Sequence, residues 1–259
     1  MARNILAKVQ PLHNSLTWPK LLQNRESGFF CKRNESRYAN HRKVFERNFY
    51  GSLNSVQRLE LMAKLNEHFG CVNCLGFNKN GRYLMSGSDD LRIILWDWYN
   101  NIPLTLANTK HRKNIFQCKF YEESGNQMKI VSASADGSIS LHQFMGNGGH
   151  SEKQIYTHAG AVHKIAVTEN VVFTCGEDGL IIEFDFRTKT PSKMVTVREK
   201  HRKIPLFSIS AHPYEMKYAV SGRDQFVRVY DRRNQKNVLT RHCPTELLEK
   251  NTTIRYISC

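Results

Sequence analysis

No stretch of this 259-residue sequence approaches the apolar length that a membrane-spanning helix needs. The first residues, MARNILAKVQPLHN, lack the apolar core of a secretory leader. Cysteine is sparse: the seven are Cys31, Cys71, Cys74, Cys118, Cys175, Cys243 and Cys259. An odd number at that density is not a disulfide framework, and free thiols in a reducing compartment are expected. Cys71-Val-Asn-Cys74 has no second CxxC to complete a zinc set, so both thiols are expected to pack in a strand. There is no P-loop and no G-x-G-x-x-G. Gly146-Asn147-Gly148-Gly149 lacks the following Lys-Ser/Thr and reads as a loop between repeats. Acidic residues are also few, 23 against 38 Lys and Arg, for a net charge of +15.

That basic balance raises nucleic-acid binding, since clustered cations neutralise phosphates. The charge is uneven, however. Residues 1–58 carry a net +8 and residues 59–259 only +7. In the first segment Phe29, Phe30, Tyr38, Phe45, Phe49 and Tyr50 are interleaved with Arg and Lys, without sustained alternation. Residues 1–55 read as a basic, weakly structured extension. From Val56 short apolar runs alternate with Gly, Asn and Asp turns, the pattern of β structure.

A period of 42–47 residues runs through that second part. Turn aspartates stand at Asp90, Asp136, Asp178 and Asp224. Six residues after each comes a ring: Trp96, His142, Phe184 and Tyr230. Four before each stand Ser86, Ser132, Thr174 and Val220. Upstream lie His68, His111, His158 and His201. The concurrence of these four positions, with Trp96-Asp97 closing the first unit, resembles the WD-repeat family. That family implies an all-β propeller of four-stranded antiparallel blades. In the first unit the strands are expected at Val72–Phe77, Tyr83–Ser88, Arg92–Trp98 and Pro103–Ala107. The histidines are expected to link aspartate to hydroxyl to ring inside each blade, as structural hydrogen-bond partners. His142 and Val220 depart from the pattern, so the second and fourth units should hold weaker networks. About four repeats are present, at 61–107, 108–150, 151–197 and 198–240. A partial, open propeller occupies 56–244, and 245–259 reads as the start of a truncated fifth repeat.

Two units end in Asp-x-Arg: Asp185-Phe186-Arg187 and Asp231-Arg232-Arg233. Paired boxes of this kind resemble the DCAF family, WD-repeat substrate receptors of the cullin-4 RING ubiquitin ligase. The resemblance implies that Asp185, Arg187, Asp231 and Arg233 bind the ligase's damaged-DNA-binding adaptor. The alternative is that these four residues form ion pairs that only terminate strands. The partners implied are that adaptor and an unknown substrate protein, with no membrane. A generic WD-repeat scaffold and a nucleic-acid-associated protein are the rival readings. The second rests on the net charge and the segment Lys32–Arg47, with the clusters Lys110-His111-Arg112-Lys113 and Lys200-His201-Arg202-Lys203 added. No catalytic, metal-binding or cofactor-binding residue is expected, and no cofactor. A nuclear or cytoplasmic location accords with the ligase reading.

Overall fold

The structure, a computed structural model, describes residues 56–243 except 58, 125–126, 147, 169, 200 and 235–236. The chain divides into two compact units, Met1–Lys64 and Leu65–Cys259. The basic extension at 1–55 and the fifth-repeat segment at 245–259 lie outside the described residues. In the second unit, eighteen β-strands are described.

Sixteen strands form four antiparallel sheets, each of four strands in sequence order. The first holds β1 (Val72–Phe77), β2 (Leu84–Ser88), β3 (Arg92–Asp97) and β4 (Ile102–Asn108). The second holds β5 (Ile115–Ser124), β6 (Gln127–Ser134), β7 (Ser138–Met145) and β8 (His150–Thr157). The third holds β9 (Lys164–Val167), β10 (Val171–Cys175), β11 (Leu180–Asp185) and β12 (Thr190–Thr196). A short hairpin of β13 (Arg198–Glu199) and β14 (Arg202–Lys203) precedes the fourth. That sheet holds β15 (Leu206–Ala211), β16 (Lys217–Gly222), β17 (Val227–Asp231) and β18 (Val238–His242). This is the blade architecture of a WD-repeat propeller, and the four blades form no closed ring. The first-blade strands match the sequence expectation to within one residue at each end.

The glycine-rich segment at 146–149 does not separate two blades. The Met145 N–H donates to the Gly149 carbonyl at 2.8 Å, and β7 pairs with β8 across this loop. It is a hairpin within the second blade, so that blade runs past residue 150.

Middle strands are buried on both faces, which explains their near-continuous apolar runs. Ile93 and Leu95 of β3 pack with Ile115, Ile130 and Phe144 of the second blade. The next residue along β6, Val131, turns the other way and packs with Ile165 and Val172 of the third blade. Phe173 and Ile181 then meet Leu206, Tyr218 and Tyr230 of the fourth. Alternate side chains thus bond neighbouring blades into a stack. On the first blade Leu75, Phe77, Leu104 and Leu106 remain exposed.

The turn between second and third strands is the best-specified local feature. In the first blade, Trp96 Nε1–H donates to Ser86 Oγ at 2.8 Å. The Ser86 hydroxyl is then free to donate to His68 Nε2 at 2.7 Å. His68 Nδ1–H donates to Asp90 Oδ2 at 2.8 Å. Asp90 also accepts the Phe69 and Arg92 N–H groups, each at 3.0 Å. Burial opposes ionisation of Asp90, but these donors outweigh it and hold its carboxyl below the ordinary range.

The third blade repeats the arrangement. His158 Nδ1 lies 3.2 Å from both Asp178 oxygens, and Thr174 donates to His158 Nε2 at 2.9 Å. Phe184 takes the ring position and adds no polar link. The second blade inserts Ser138: its hydroxyl donates to Asp136 Oδ1 at 2.5 Å and accepts from His111 Nδ1–H at 2.6 Å. Ser132 bridges His111 Nε2 and His142 Nε2 at 2.6 and 2.7 Å. The expected weaker network is therefore a longer one, since an imidazole at the ring position supplies an N–H donor as Trp96 does.

The fourth blade departs further. His201 sits in the exposed turn between β13 and β14, at φ 68°, and is no part of a relay to Asp224. Arg228, 3% exposed, reaches Asp224 at 2.5 Å and Glu199 at 3.1 Å instead. Val220 is wholly buried, and Tyr230 stacks on Tyr218 at 5.4 Å between centroids. A cation and an aromatic stack thus replace the imidazole bridge.

Residues after the turn aspartates adopt positive φ: Gly137 at 84°, Gly179 at 75° and, in the first blade, Leu91 at 65°. A Cβ at Gly137 would collide with the His158 carbonyl oxygen, so glycine is required by contact as well as by φ. Gly137→Ala is expected to cost at least about 1–2 kcal/mol, measured as a lowered midpoint in urea. Burial depresses the His158 pKa below 6.5, with Asp178 opposing. The unfolded chain therefore takes up the proton first as pH falls. The stability tied to a neutral His158 is complete above about pH 6.5 and declines below it. The urea midpoint is expected to drop between pH 7.5 and 5.5. His158→Asn should lower the midpoint at pH 7.5 and shrink that pH-dependent drop.

Candidate functional site on the rim

Apart from the exposed His201, the histidines, hydroxyls and aspartates of the repeat are interior groups. His111 and His158 are 4% and 2% exposed, and Ser86, Ser132 and Thr174 are equally buried. The structure brings them together in the first three blades and leaves His201 apart in an exposed turn, and it presents none of them as a surface constellation. Of the two thiols expected in a strand, Cys74 lies on β1 and packs toward the second blade, whereas Cys71 precedes the strand and is exposed.

The Asp-x-Arg boxes lie elsewhere. Asp185 ends β11 and Asp231 ends β17, the third strands of adjacent blades, so both boxes occupy the same rim. Their local geometry is shared. The Arg187 N–H donates to Asp185 Oδ1 at 2.8 Å, and the Arg233 N–H donates to Asp231 Oδ1 at 2.8 Å. The side chains then fold back onto the same carboxylates. Arg187 Nη2 lies 2.8 Å from Asp185 Oδ2, and Arg233 Nε lies 3.4 Å from Asp231 Oδ1. The Arg187 side-chain bond holds the Asp185 carboxyl down at about 2, so it stays ionised throughout the neutral range. The Arg233 backbone N–H, then its guanidinium, likewise lowers Asp231.

Each carboxylate thus orients its guanidinium without enclosing it: Arg187 and Arg233 side chains are 71% and 79% exposed. A pair so exposed contributes little to stability. The first blade has Asp97 at this place, where it accepts from Asn100 at 3.3 and 3.0 Å instead. No guanidinium is displayed there.

Arg232, between the box residues Asp231 and Arg233, does the opposite. It donates to Glu183 at 2.6 Å and lies 5.6 Å from the Phe173 ring centroid, so it joins the fourth blade to the third. Sequence reasoning missed it, because a strand-end Arg looks the same whether it turns inward or outward. Beside it a cavity of about 660 Å³ opens between these blades, lined by Phe173, Arg187, Tyr214, Met216 and Arg232 among others. Arg187 is thus at once a box residue and a wall of an inter-blade cavity. Of the two basic clusters, Arg112, Lys113, Arg202 and Lys203 are exposed while His111 is withdrawn into its blade.

Comparison with known proteins agrees with the fold. The family described as WD domain, G-beta repeat matches residues 59–97. Human DDB1- and CUL4-associated factor 6 is 34% identical over 193 residues, which are 71% of this chain and 22% of that protein. The fission yeast (Schizosaccharomyces pombe) WD repeat protein iqw1 is 33% identical over 215 residues, 75% of this chain and 26% of that protein. Human WD and tetratricopeptide repeats protein 1 is 31% identical over 194 residues, 72% of this chain and 28% of that protein. The chain therefore spans about a quarter of the length of these curated relatives. Blade architecture, buried histidine relays and these matches agree on an all-β fold of the WD-repeat propeller type, in a chain similar to a protein named for association with DDB1 and CUL4.

Proposed function

We propose that the chain is a non-catalytic scaffold that docks on the damaged-DNA-binding adaptor of a cullin-4 RING ubiquitin ligase. It presents a target protein there for ubiquitin transfer. The observation that carries this reading is the pair of Asp-x-Arg boxes on one rim. Asp185 and Asp231 hold Arg187 and Arg233 in similar poses with most of each guanidinium in solvent. A planar, multi-donor cation fixed at its base is suited to anchor a protein interface, and lysine cannot reproduce its geometry. Similarity to a protein named for association with DDB1 and CUL4 supports the same partner. Segments such as SGSDDLRIILWDW and GRDQFVRVYDRR look like those of the eighth DCAF member, the closer assignment within that family. A nuclear or cytoplasmic location accords with such a partner.

Affinity purification of the full chain is expected to recover the adaptor. The double variant Arg187→Glu with Arg233→Glu should lose it while keeping the wild-type circular dichroism and urea midpoint, since both side chains are mostly solvated. Retained adaptor in that variant would refute the docking role of the boxes. Arg232→Ala separates stability from docking. It leaves Glu183 unpaired between two blades and is expected to cost about 1.5–3 kcal/mol in urea titration.

A further inference from the structure

Cys74 of β1 pairs across the ladder with Gly87 of β2, a residue with no side chain of its own. The gap so left is filled from the next blade. A Cβ added to Gly87 would stand 2.8 Å from Cys74 Sγ and 2.9 Å from Cys118 Sγ, so both sulfurs converge on the place it would occupy. Cys118 lies on β5 and is 2% exposed. A side chain at position 87 would push the two thiols apart.

The strands that carry them are tied together beside this point. Asn73, next to Cys74, donates from Nδ2 to the Ile115 carbonyl of β5 at 3.0 Å. Ile115 is itself wholly buried, packed with Met85 and Ile93 of the first blade and Ile130 of the second. The meeting of Cys74 and Cys118 is thus held in place by its surroundings, and it spans the interface between two blades.

The two thiols are not equivalent. Cys74 is partly exposed, whereas Cys118 is buried. The Cys118 thiol bonds to Cys74 and lowers the Cys74 pKa, against the opposing effect of burial. Burial first, then the neighbouring Cys74, raises Cys118. Thiolate therefore forms first on the residue that solvent reaches. Cys71, the CxxC neighbour, is exposed ahead of β1, and it is the Cys118 thiol that bears on Cys74.

We propose that Cys74 and Cys118 form an oxidative modification site, which hydrogen peroxide closes to a disulfide between the first and second blades. The Cys74 thiolate attacks one peroxide oxygen. The O–O bond breaks, the hydroxide released takes up the proton that Cys74 gave to solvent, and Cys74 becomes a sulfenic acid. The Cys118 sulfur then attacks the Cys74 sulfur. The S–S bond forms as the S–O bond breaks, and the departing hydroxide leaves as water with the Cys118 proton. Two thiols and one peroxide thus give one disulfide and two waters. The bridge ties β1 to β5 and restrains the unfolded chain, so it stabilises the pair of blades.

The full-length chain is treated with hydrogen peroxide in a graded series up to millimolar and digested with trypsin without reduction. Residues 65–79 are expected joined to residues 114–119, lighter by two hydrogens than the separate peptides. Dithiothreitol should release them. Residues 65–79 also carry Cys71, so the link should persist in Cys71→Ser and vanish in Cys74→Ser. Oxidation should raise the urea midpoint of the parent and of Cys71→Ser. It should leave the midpoint of Cys74→Ser unchanged, and the circular dichroism of that variant should match the parent's before treatment. Recovery of Cys74 joined to Cys71, oxidised to a sulfinic acid or unmodified across the series overturns the proposal, as does loss of the link in Cys71→Ser.

Discussion

A buried imidazole that bonds on both sides at once is the constraint on which the first three blades depend. It joins the segment before the first strand to a hydroxyl on the second strand and to the aspartate of the following turn, directly in the first and third blades and through Ser138 in the second. Each partner is buried or nearly so, and an unmet polar atom there would cost more than a bond contributes. The relay therefore selects one register for the three segments it touches. A one-residue slip would turn Ser86 or Thr174 to the opposite face and orphan the histidine.

The apolar packing then acts on strands whose register is already set. Because middle strands are buried on both faces, each blade serves as core for two neighbours, and Ile130 and Val131 serve different blades though adjacent in sequence. The fourth blade keeps its strand register without the bridge, using an ion pair and ring stacking while Ser221 Oγ and Arg228 Nη1 are left without hydrogen-bond partners. Arg228 reaches both Asp224 and Glu199, and Phe173, Tyr218 and Tyr230 stack in series across the third and fourth blades. The second blade shows the converse: substituting His142 for an indole lengthens the relay and leaves a ring nitrogen directed at β8.

At the rim the same chemical pair has two fates. Asp185–Arg187 and Asp231–Arg233 are solvated and self-contained, whereas Glu183–Arg232 crosses between blades beneath an aromatic ring. Burial is what separates them. An exposed pair gives up little on losing its partner, and a charge withdrawn from water depends on it.

The repeat was legible in the sequence because its spacing reflects covalent distance along a fixed hairpin plan: strands of the first blade, turn aspartates and relay histidines at 68, 111 and 158 could all be placed. The Asp-x-Arg boxes were equally legible, since their bonds are local, two residues apart. What the sequence could not decide is where side chains go once blades meet. His201 kept the repeat's spacing and yet lies in an exposed turn, because an extra hairpin of β13 and β14 displaces it. The glycines at 146–149 looked like a linker and form a hairpin, since strand pairing rather than composition decides which segments a loop joins. Arg228 and Arg232 carried no signal of their own. Their roles arise from contacts across strands and blades, and such proximity exists only after the chain has folded.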